Sequence, residues 1–248
     1  ATALEKFPGL RLAAISGGQF DNVICSRCDA VVALPKGSGR AFEAFIRELE
    51  GVLKNEYAVT DPDVTLTCAA AETAKAVSAE RTVTLVQALT AMPQGVEAMD
   101  TDFPGLVQTS LNMGVVKLGG NGLHIAFSIR SSIASRKLML AQRVRAVAAL
   151  AGGTVAERGV YPGWQYKRES QFRDTLLAAY KDLTGKDGVV EATHGGLECG
   201  LLMEKIPGLD AVSMGPELHD VHSVRERLNV PSTERTYELV CELLRRSC

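Results

Sequence analysis

The pattern of apolar and polar positions in residues 1–158 predicts an α+β layer, with helices on one face of an antiparallel sheet. Two β-rich runs, LRLAAISGG and NVICSRCDAVVALP, follow each other in the sequence. This pattern predicts a pair of adjacent antiparallel strands. DVTLTCAA predicts another strand, and ERTVTLVQAL predicts a helix. Between these runs, Ser38 can cap a helix with one apolar face. That face carries Phe42, Phe45, Ile46, Leu49 and Leu53.

A β-hairpin is predicted where GGNG, residues 119–122, separates LVQTSLNMGVVKL from GLHIAFSIRSS. Glycine and asparagine readily adopt the positive φ angles that such turns require. A helix over residues 135–150 follows and stops at Gly152 and Gly153. Its apolar positions at helical spacing are Leu138, Ala141, Val144 and Ala148.

The order of predicted elements changes after residue 158, where helices alternate with short apolar strands. The pattern predicts a helix over 170–183, the strand GVVEAT, a helix over 197–204 and the strand LDAVSM. Ser232 can cap a final helix, whose predicted buried side carries Tyr237, Val240, Cys241 and Leu244. Such alternation is typical of a parallel sheet covered on both faces. Residues 159–248 are therefore predicted to be the end of an α/β domain.

The net charge and the hydropathy of the chain limit the classes of molecule that we expect it to bind. Lys and Arg total 27 against 29 for Asp and Glu, so the net charge of -2 gives no overall attraction to nucleic acid or to an anionic membrane. No apolar run approaches the roughly 20 residues that a membrane span requires. We expect a cytoplasmic protein that acts on small polar substrates or binds protein partners.

Six cysteines are spread through a chain with enough apolar residues to fold without disulfides, which predicts reduced thiols. Cys25 and Cys28 form a C-x2-C pair. Such a pair can hold zinc or cycle as a redox couple, but a zinc site needs a second ligand pair and a thioredoxin-like pair opens a helix. Since NVICSRCDAVVAL predicts a strand, we interpret both residues as ordinary strand cysteines, with redox chemistry as the alternative.

Two loops follow predicted strands at the sheet edge where open α/β domains bind ligands. The loop THGGLECG, residues 193–200, has glycines that admit a ligand close to the backbone or simply allow a tight turn. Glu198 lies there at a helix start. The second loop, GPELHDVHSVRE, carries His222, a candidate zinc ligand, but zinc needs three or four protein ligands. The other histidines and nearby acids with weaker claims are His124, His194, His219, Asp220 and Glu226.

Arg130 stands near the end of the predicted strand HIAFSIRSS. Alternation places it on the polar face with His124 and Ser128, opposite Phe127 and Ile129. A guanidinium group there can hold a carboxylate through two parallel hydrogen bonds, or it can be an ordinary exposed arginine.

The stretch THGGLECGLLMEKIPGLDAVSMGPELHDVHSVRERLNVPSTER resembles the carboxyl-terminal signature of the aminoacyl-histidine dipeptidases, also called cytosol non-specific or carnosine-type dipeptidases. GGQFDNVIC and MPQGVEAMDTDFPGLVQTSLNMGVVKL resemble the lid domain of the same family. The resemblance implies a hydrolase that uses two zinc ions, with manganese or cobalt as alternatives, to cleave dipeptides such as Xaa-His. It also implies a ferredoxin-like lid over 1–158, the end of the catalytic domain over 159–248, and a homodimer formed through the lid.

Carried over residue by residue, the resemblance makes His222 a metal ligand and Arg130 the group that holds the substrate carboxylate. It makes Asn22 a substrate-binding residue, with Asn112 as a weaker rival. The resemblance also implies that the loop with Gly195, Gly196 and Glu198 borders the substrate pocket.

Other family features are missing. The His-x-Asp pair, the bridging Asp and the paired glutamates, which include the general base, precede the lid in the family, and this sequence lacks them. Cys25 stands where the family usually has proline. We therefore expect a truncated enzyme that is inactive alone. The alternative is a non-catalytic association module that retains the lid.

Overall fold

The computed structural model describes residues 1–72, 75–120, 122–221 and 223–247. Its helices are α1 (Thr2–Lys6), α2 (Gly39–Glu56), α3 (Ala79–Ala91), α4 (Ala134–Leu150), α5 (Gln171–Thr184), α6 (Glu198–Lys205) and α7 (Val230–Ser247). Its strands are β1 (Arg11–Gly17), β2 (Cys28–Ala33), β3 (Gly95–Met99), β4 (Val107–Gly119), β5 (Gly122–Ser131), β6 (Leu218–His219) and β7 (Arg227–Leu228).

Within the described residues, five strands form the main sheet in the order β2-β1-β4-β3, and β5 also pairs with β4. Strand β1 runs antiparallel to both β2 and β4. The predicted hairpin is present, since β4 ends at Gly119 and β5 begins at Gly122, which has a φ of 108° that favours glycine. Asn121, which the sequence predicted to belong to the turn, lies outside the described residues.

Apolar clusters join the helices to the strands. Leu85 of α3 packs on Leu12 and Leu118, while Leu140 and Val144 of α4 pack on Leu111 of β4. Full burial of one such leucine stabilises a fold by about 1.5–3 kcal/mol. A third cluster covers the start of the chain and one face of α2, as the spacing of apolar residues there predicted. Its buried members are Phe7, Leu10, Phe42 and Phe45.

Several local predictions in this part of the chain are wrong. DVTLTCAA forms no strand, and β2 begins only at Cys28, so Cys25 lies outside any strand. Ser38 occupies the position before α2, but its side chain makes no capping hydrogen bond. On α4, Leu138 is 53% exposed and Leu140 is buried in its place, because the packed face is set by contact with β4.

The helix predicted after residue 158 is present as α5. The Ser170 hydroxyl accepts a hydrogen bond from the Arg173 N–H and caps the helix, which ends at Gly185 in the left-handed conformation. Helix α5 contacts α7 through Ala179, Leu239 and Leu243. The segments GVVEAT and LDAVSM are not strands, because neither pairs with another strand among the described residues.

Helix α7 departs from prediction at its start and in its buried face. It begins at Val230, and the Asn229 side chain accepts a hydrogen bond from the Ser232 N–H, so Asn229 takes the capping role that we assigned to Ser232. The predicted buried residues Tyr237 and Leu244 are 70% and 62% exposed. The helix has apolar residues on more than one side, and contact with α5 covers the side that carries Leu239 and Leu243.

The chain separates into two compact units. The first contains Ala1–Gly95, Leu111–Ile129 and Met139–Ala156; the second contains Val96–Ser110, Arg130–Leu138 and the chain from Glu157 onward. The domain boundary at residue 158 stays a prediction. No helix in the described parts of the chain combines the length and apolar character needed to cross a lipid bilayer.

Candidate functional site

A buried pair of hydroxyl groups fixes the end of β5, where Arg130 lies. The hydroxyl oxygens of Thr109 and Ser131 are 2.9 Å apart, and both residues are buried. The Ser131 Oγ also lies 3.0 Å from the Ile133 carbonyl oxygen, to which the hydroxyl can donate, and either hydroxyl can be the donor in the Thr109–Ser131 pair. The Ile133 N–H in turn donates to Ser131 Oγ at 3.0 Å. The backbone next to Arg130 is therefore held from both sides.

Arg130 itself is exposed and makes neither an ion pair nor a side-chain hydrogen bond with the described residues. Phe127 and Ile129 pack against the cluster around Leu140, which places them opposite Arg130 as the alternation predicted. An unpaired guanidinium group at a fixed strand end can accept a planar anion without breaking an existing ion pair.

His194 lies near Arg130 in the same unit. The Ser110 Oγ and the His194 Nε2 are 3.4 Å apart, which joins β4 to the loop over 193–200. Partial burial, and after it the positive charge of Arg130, lower the pKa of His194 below its ordinary value of 6.5. The imidazole is therefore neutral at neutral pH, with one nitrogen as a donor and the other as an acceptor.

Close packing against residues 161 and 162 accounts for glycine at two positions, one just before α6 and one in its first turn. A Cβ on Gly196 would lie 2.6 Å from the Tyr161 ring, and a Cβ on Gly200 would lie 3.3 Å from the Pro162 carbonyl oxygen. The segment around Tyr161 is anchored in turn, because Lys137 donates a hydrogen bond to its carbonyl oxygen. Packing against Tyr161 is by itself a sufficient reason for glycine at residue 196.

Gly195 has a different environment. The nearest atom to an added Cβ would be Thr193 Oγ1 at 3.3 Å, and the Gly195 N–H already donates to that oxygen at 3.1 Å. Glu198 begins α6 and is exposed. The roles of Gly195, Gly196 and Glu198 in binding substrate stay predictions.

Asn22 is exposed in a segment that crosses β4 in the first unit. The Asn112 side-chain amide donates to the Asp21 carbonyl at 2.7 Å and to the Val23 carbonyl at 2.9 Å. A Cβ on Gly114 would lie 2.4 Å from the Asp21 carbonyl oxygen, so glycine is needed for this close approach. Asn112 thus holds the segment on both sides of Asn22, whose own role stays a prediction.

The metal-ligand prediction falls on His222, which lies outside the described residues. Nearby, Asp220 accepts a hydrogen bond from Arg227 at 2.9 Å, and the exposed His219 pairs with Arg227 in the β6-β7 ladder. Among the residues that the structure describes, no three or more His, Cys, Asp or Glu side chains gather where they could hold a metal ion. The described residues therefore do not by themselves fit a zinc site.

Sequence reasoning missed Ser110 and gave His194 only a weak claim as a metal ligand. Neither residue lies in a pattern that marks it, because their contact joins positions 84 residues apart. The strand alternation that identified Arg130 carried no information on what lies beside it.

Two known proteins are similar to this chain over nearly its whole length. The cytosol non-specific dipeptidase of Escherichia coli strain K12 is 32% identical over 237 residues, which cover 95% of this chain and 49% of that relative. The crystal structure of aminoacylhistidine dipeptidase from Vibrio alginolyticus has a TM-score of 0.88 and 30% identity, and the match covers 98% of this chain and 50% of that one. No family model matches.

The chain thus spans about half the length of these relatives. The resemblance to the aminoacyl-histidine dipeptidases that the sequence motifs predicted is confirmed, and so is the mixed fold of antiparallel sheet and helices.

Proposed function

We propose, from the relationship to the dipeptidases, that this chain supplies the carboxylate-binding part of a metal-dependent dipeptidase that hydrolyses dipeptides such as Xaa-His. The observation that supports the proposal most directly is Arg130, an exposed guanidinium at a fixed strand end with no acidic partner among the described residues. A free C-terminal carboxylate is the part of a dipeptide that an arginine fork matches, and an internal segment of a protein lacks that group.

His194 supports the same proposal. An imidazole beside Arg130 is never an anion at ordinary pH, so unlike an Asp or Glu side chain it does not compete with a substrate carboxylate for the guanidinium group. A bound carboxylate would also offset the effect of Arg130 on the His194 pKa, so binding at this position favours proton uptake by the imidazole. We propose that Arg130 fixes the substrate tail and that His194 flanks it.

In the second unit, Gly195, Gly196 and Glu198 would add further substrate contacts. The family resemblance also makes Asn22, in the first unit, a substrate-binding residue. Asn22 would offer a side-chain amide from a segment that Asn112 holds in place. The loop over 193–200 would border the pocket at Gly195, where Thr193 Oγ1 is the one atom of the described residues within 4 Å of an added Cβ.

Zinc enters this proposal through His222 and through the family resemblance, with manganese or cobalt as alternatives. In two-metal hydrolases the ions lower the pKa of a bound water and polarise the scissile carbonyl. This sequence lacks the family's general base and its other metal ligands, so we propose that the chain alone is inactive. The name of the Escherichia coli relative supports a cytoplasmic location.

A direct binding experiment tests the carboxylate site. Calorimetric titration of the purified chain with glycyl-histidine and with its C-terminal amide should show binding of the free acid only. Arg130→Ala should abolish that binding, while the matched control Arg40→Ala, which alters another exposed arginine, should retain it. Equal behaviour of the acid and the amide, or unchanged binding by the Arg130 variant, would remove the site from the proposal.

A second candidate function is self-association through the lid, without catalysis by this chain. The segment around Asn22 exposes apolar side chains, with Phe20 62%, Val23 53% and Ile24 82% exposed. Apolar groups grouped on a surface favour protein contact. Light scattering should then show a homodimer that Ile24→Asp dissociates, whereas Val59→Asp, at a site 93% exposed elsewhere, leaves it intact.

A further inference from the structure

Cys25 and Cys28 share a space beside Gly17. Gly17 pairs with Cys28 across β1 and β2, and a Cβ on Gly17 would lie 2.9 Å from Cys28 Sγ and 3.3 Å from Cys25 Sγ. Both sulfur atoms therefore lie close to the same point. The distance between them is at most the sum of these two distances. The missing side chain of Gly17 leaves room beside both thiols.

Both thiols are free and neither is fully buried. Cys28 starts β2, whereas Cys25 lies outside any strand, so its backbone is not fixed by a ladder of hydrogen bonds. The Cys25 S–H donates to the Arg27 carbonyl at 3.1 Å. Partial burial, and after it the nearby Cys25 and Asp29, raise the pKa of Cys28.

We infer that Cys25 and Cys28 are a redox modification site, a dithiol that a low-molecular-weight disulfide such as glutathione disulfide converts into an intramolecular disulfide. One cysteine loses its proton, and its thiolate attacks a sulfur of glutathione disulfide, which forms a mixed disulfide and releases one glutathione thiolate. The other cysteine then loses its proton and attacks the protein sulfur of the mixed disulfide, which releases the second glutathione. The two cysteines are oxidised, one glutathione disulfide is reduced, and the two protons pass to the two glutathione molecules.

The disulfide would act on the segment that carries Asn22. Residues 20–23 of that segment are held by the hydrogen bonds from Asn112 and by the close approach to Gly114. Its other end joins β1 through a hydrogen bond of 3.4 Å from the Gly18 N–H to the Arg27 carbonyl, the group that also accepts from Cys25. Oxidation removes the S–H donor and closes a covalent ring over residues 25–28, so it restricts the segment at the end that Asn112 does not hold.

Mass spectrometry of the chain tests the inference independently of any peptidase activity. After incubation with excess glutathione disulfide, Cys25 and Cys28 should together lose two hydrogen atoms and both titratable thiols, while any other accessible cysteine that reacts gains the mass of one glutathione adduct. Trypsin cleaves after Arg27, between the two cysteines. The peptides over 12–27 and 28–36 should therefore appear as one linked species, which separates on reduction.

Three variants complete the experiment. Cys25→Ser and Cys28→Ser should each abolish the linked species and instead trap a glutathione adduct on the remaining cysteine of the pair. Cys68→Ser, the matched control at an exposed free cysteine, should retain the linkage. Glutathione adducts on both cysteines of the unaltered chain without a linkage between them, no reaction at either, or a linkage to any other cysteine would overturn the inference.

Discussion

The Ser110 Oγ and the His194 Nε2 lie 3.4 Å apart although 84 positions separate the two residues in the sequence. This contact brings the loop over 193–200 to β4, and Arg130 is close enough to depress the pKa of the imidazole. The relationship between these side chains yields the first prediction.

His194 should titrate below its ordinary pKa of 6.5. Arg130→Gln should raise that pKa, because the positive charge disappears, but not to the ordinary value, since the partial burial of His194 remains. A pH titration of the His194 ring resonances by NMR measures both values. Arg40→Gln should leave the His194 pKa unchanged, and an equal shift in that control would show that Arg130 is not the cause.

The same pKa shift makes stability depend on pH. The unfolded chain binds a proton at His194 at a higher pH than the folded chain, so the contribution of the neutral imidazole is fully present above the unfolded pKa. It declines as the pH falls through 6.5 towards the lower folded pKa. His194→Gln should flatten the dependence of the urea midpoint on pH in that window.

Arg130→Ala, made in a longer protein that contains this chain, should lower kcat/KM for dipeptides about 10- to 100-fold, which corresponds to about 1.4–2.8 kcal/mol. The loss should appear mainly in KM if Arg130 holds the carboxylate equally in the ground state and the transition state. Steady-state kinetics with metal analysis on the same samples checks this, since bound metal should not change. Wild-type kinetics in the variant would contradict the role of Arg130.

Gly196→Ala should destabilise the second unit by about 1–3 kcal/mol, as overpacking does. The added Cβ would lie 2.6 Å from the Tyr161 ring, whereas Gly195→Ala meets only Thr193 Oγ1 at 3.3 Å. Chemical unfolding of the two variants should therefore give a clear loss for Gly196→Ala and a small change for Gly195→Ala. Similar midpoints for the pair would show that the packing against Tyr161 yields easily.

Asp210 should support the start of α5 in a pH-dependent manner. Burial raises its pKa, but hydrogen bonds from the Phe172 N–H and the Ser170 hydroxyl, together with the Lys167 ammonium group, lower it overall. The folded pKa is depressed, so this contribution is present above the ordinary value of 3.8 and is lost as the pH falls through the folded pKa. Asp210→Ala should cost about 1–3 kcal/mol at neutral pH and much less in strong acid, as measured by urea unfolding.

His222→Ala in the longer protein should lower the zinc content measured by atomic emission, because zinc sites depend on each of three or four ligands. His219→Ala is the matched control, as its backbone belongs to the β6-β7 pair and its side chain is exposed. Full zinc occupancy in the His222 variant would remove that residue from the metal site.

Local pattern was enough to predict much of the first unit. Helices α2, α3 and α4 and the β4-β5 hairpin follow from apolar spacing and from glycine-rich turns, which act over a few residues. The place of Arg130 opposite Phe127 and Ile129 follows from the alternation of a single strand. The motif around residues 193–235 was specific enough to predict the relationship to the dipeptidases.

Predictions that depend on which strand or helix packs beside a given element were less successful. GVVEAT and LDAVSM have the composition of strands, but a strand exists only where another strand accepts its hydrogen bonds. Helix α7 has apolar residues on two sides, and only its contact with α5 decides that Leu239 and Leu243 are buried while Tyr237 is exposed.

The sequence by itself determined the periodic elements, the family resemblance and the strand face of Arg130, because each depends on residues that are near neighbours along the chain. Only the tertiary structure decided that His194 lies beside Ser110, that Asn112 holds the segment of Asn22, and that Gly17 leaves room for two thiols. These relationships join positions distant in sequence, and their distances depend on how the whole backbone packs.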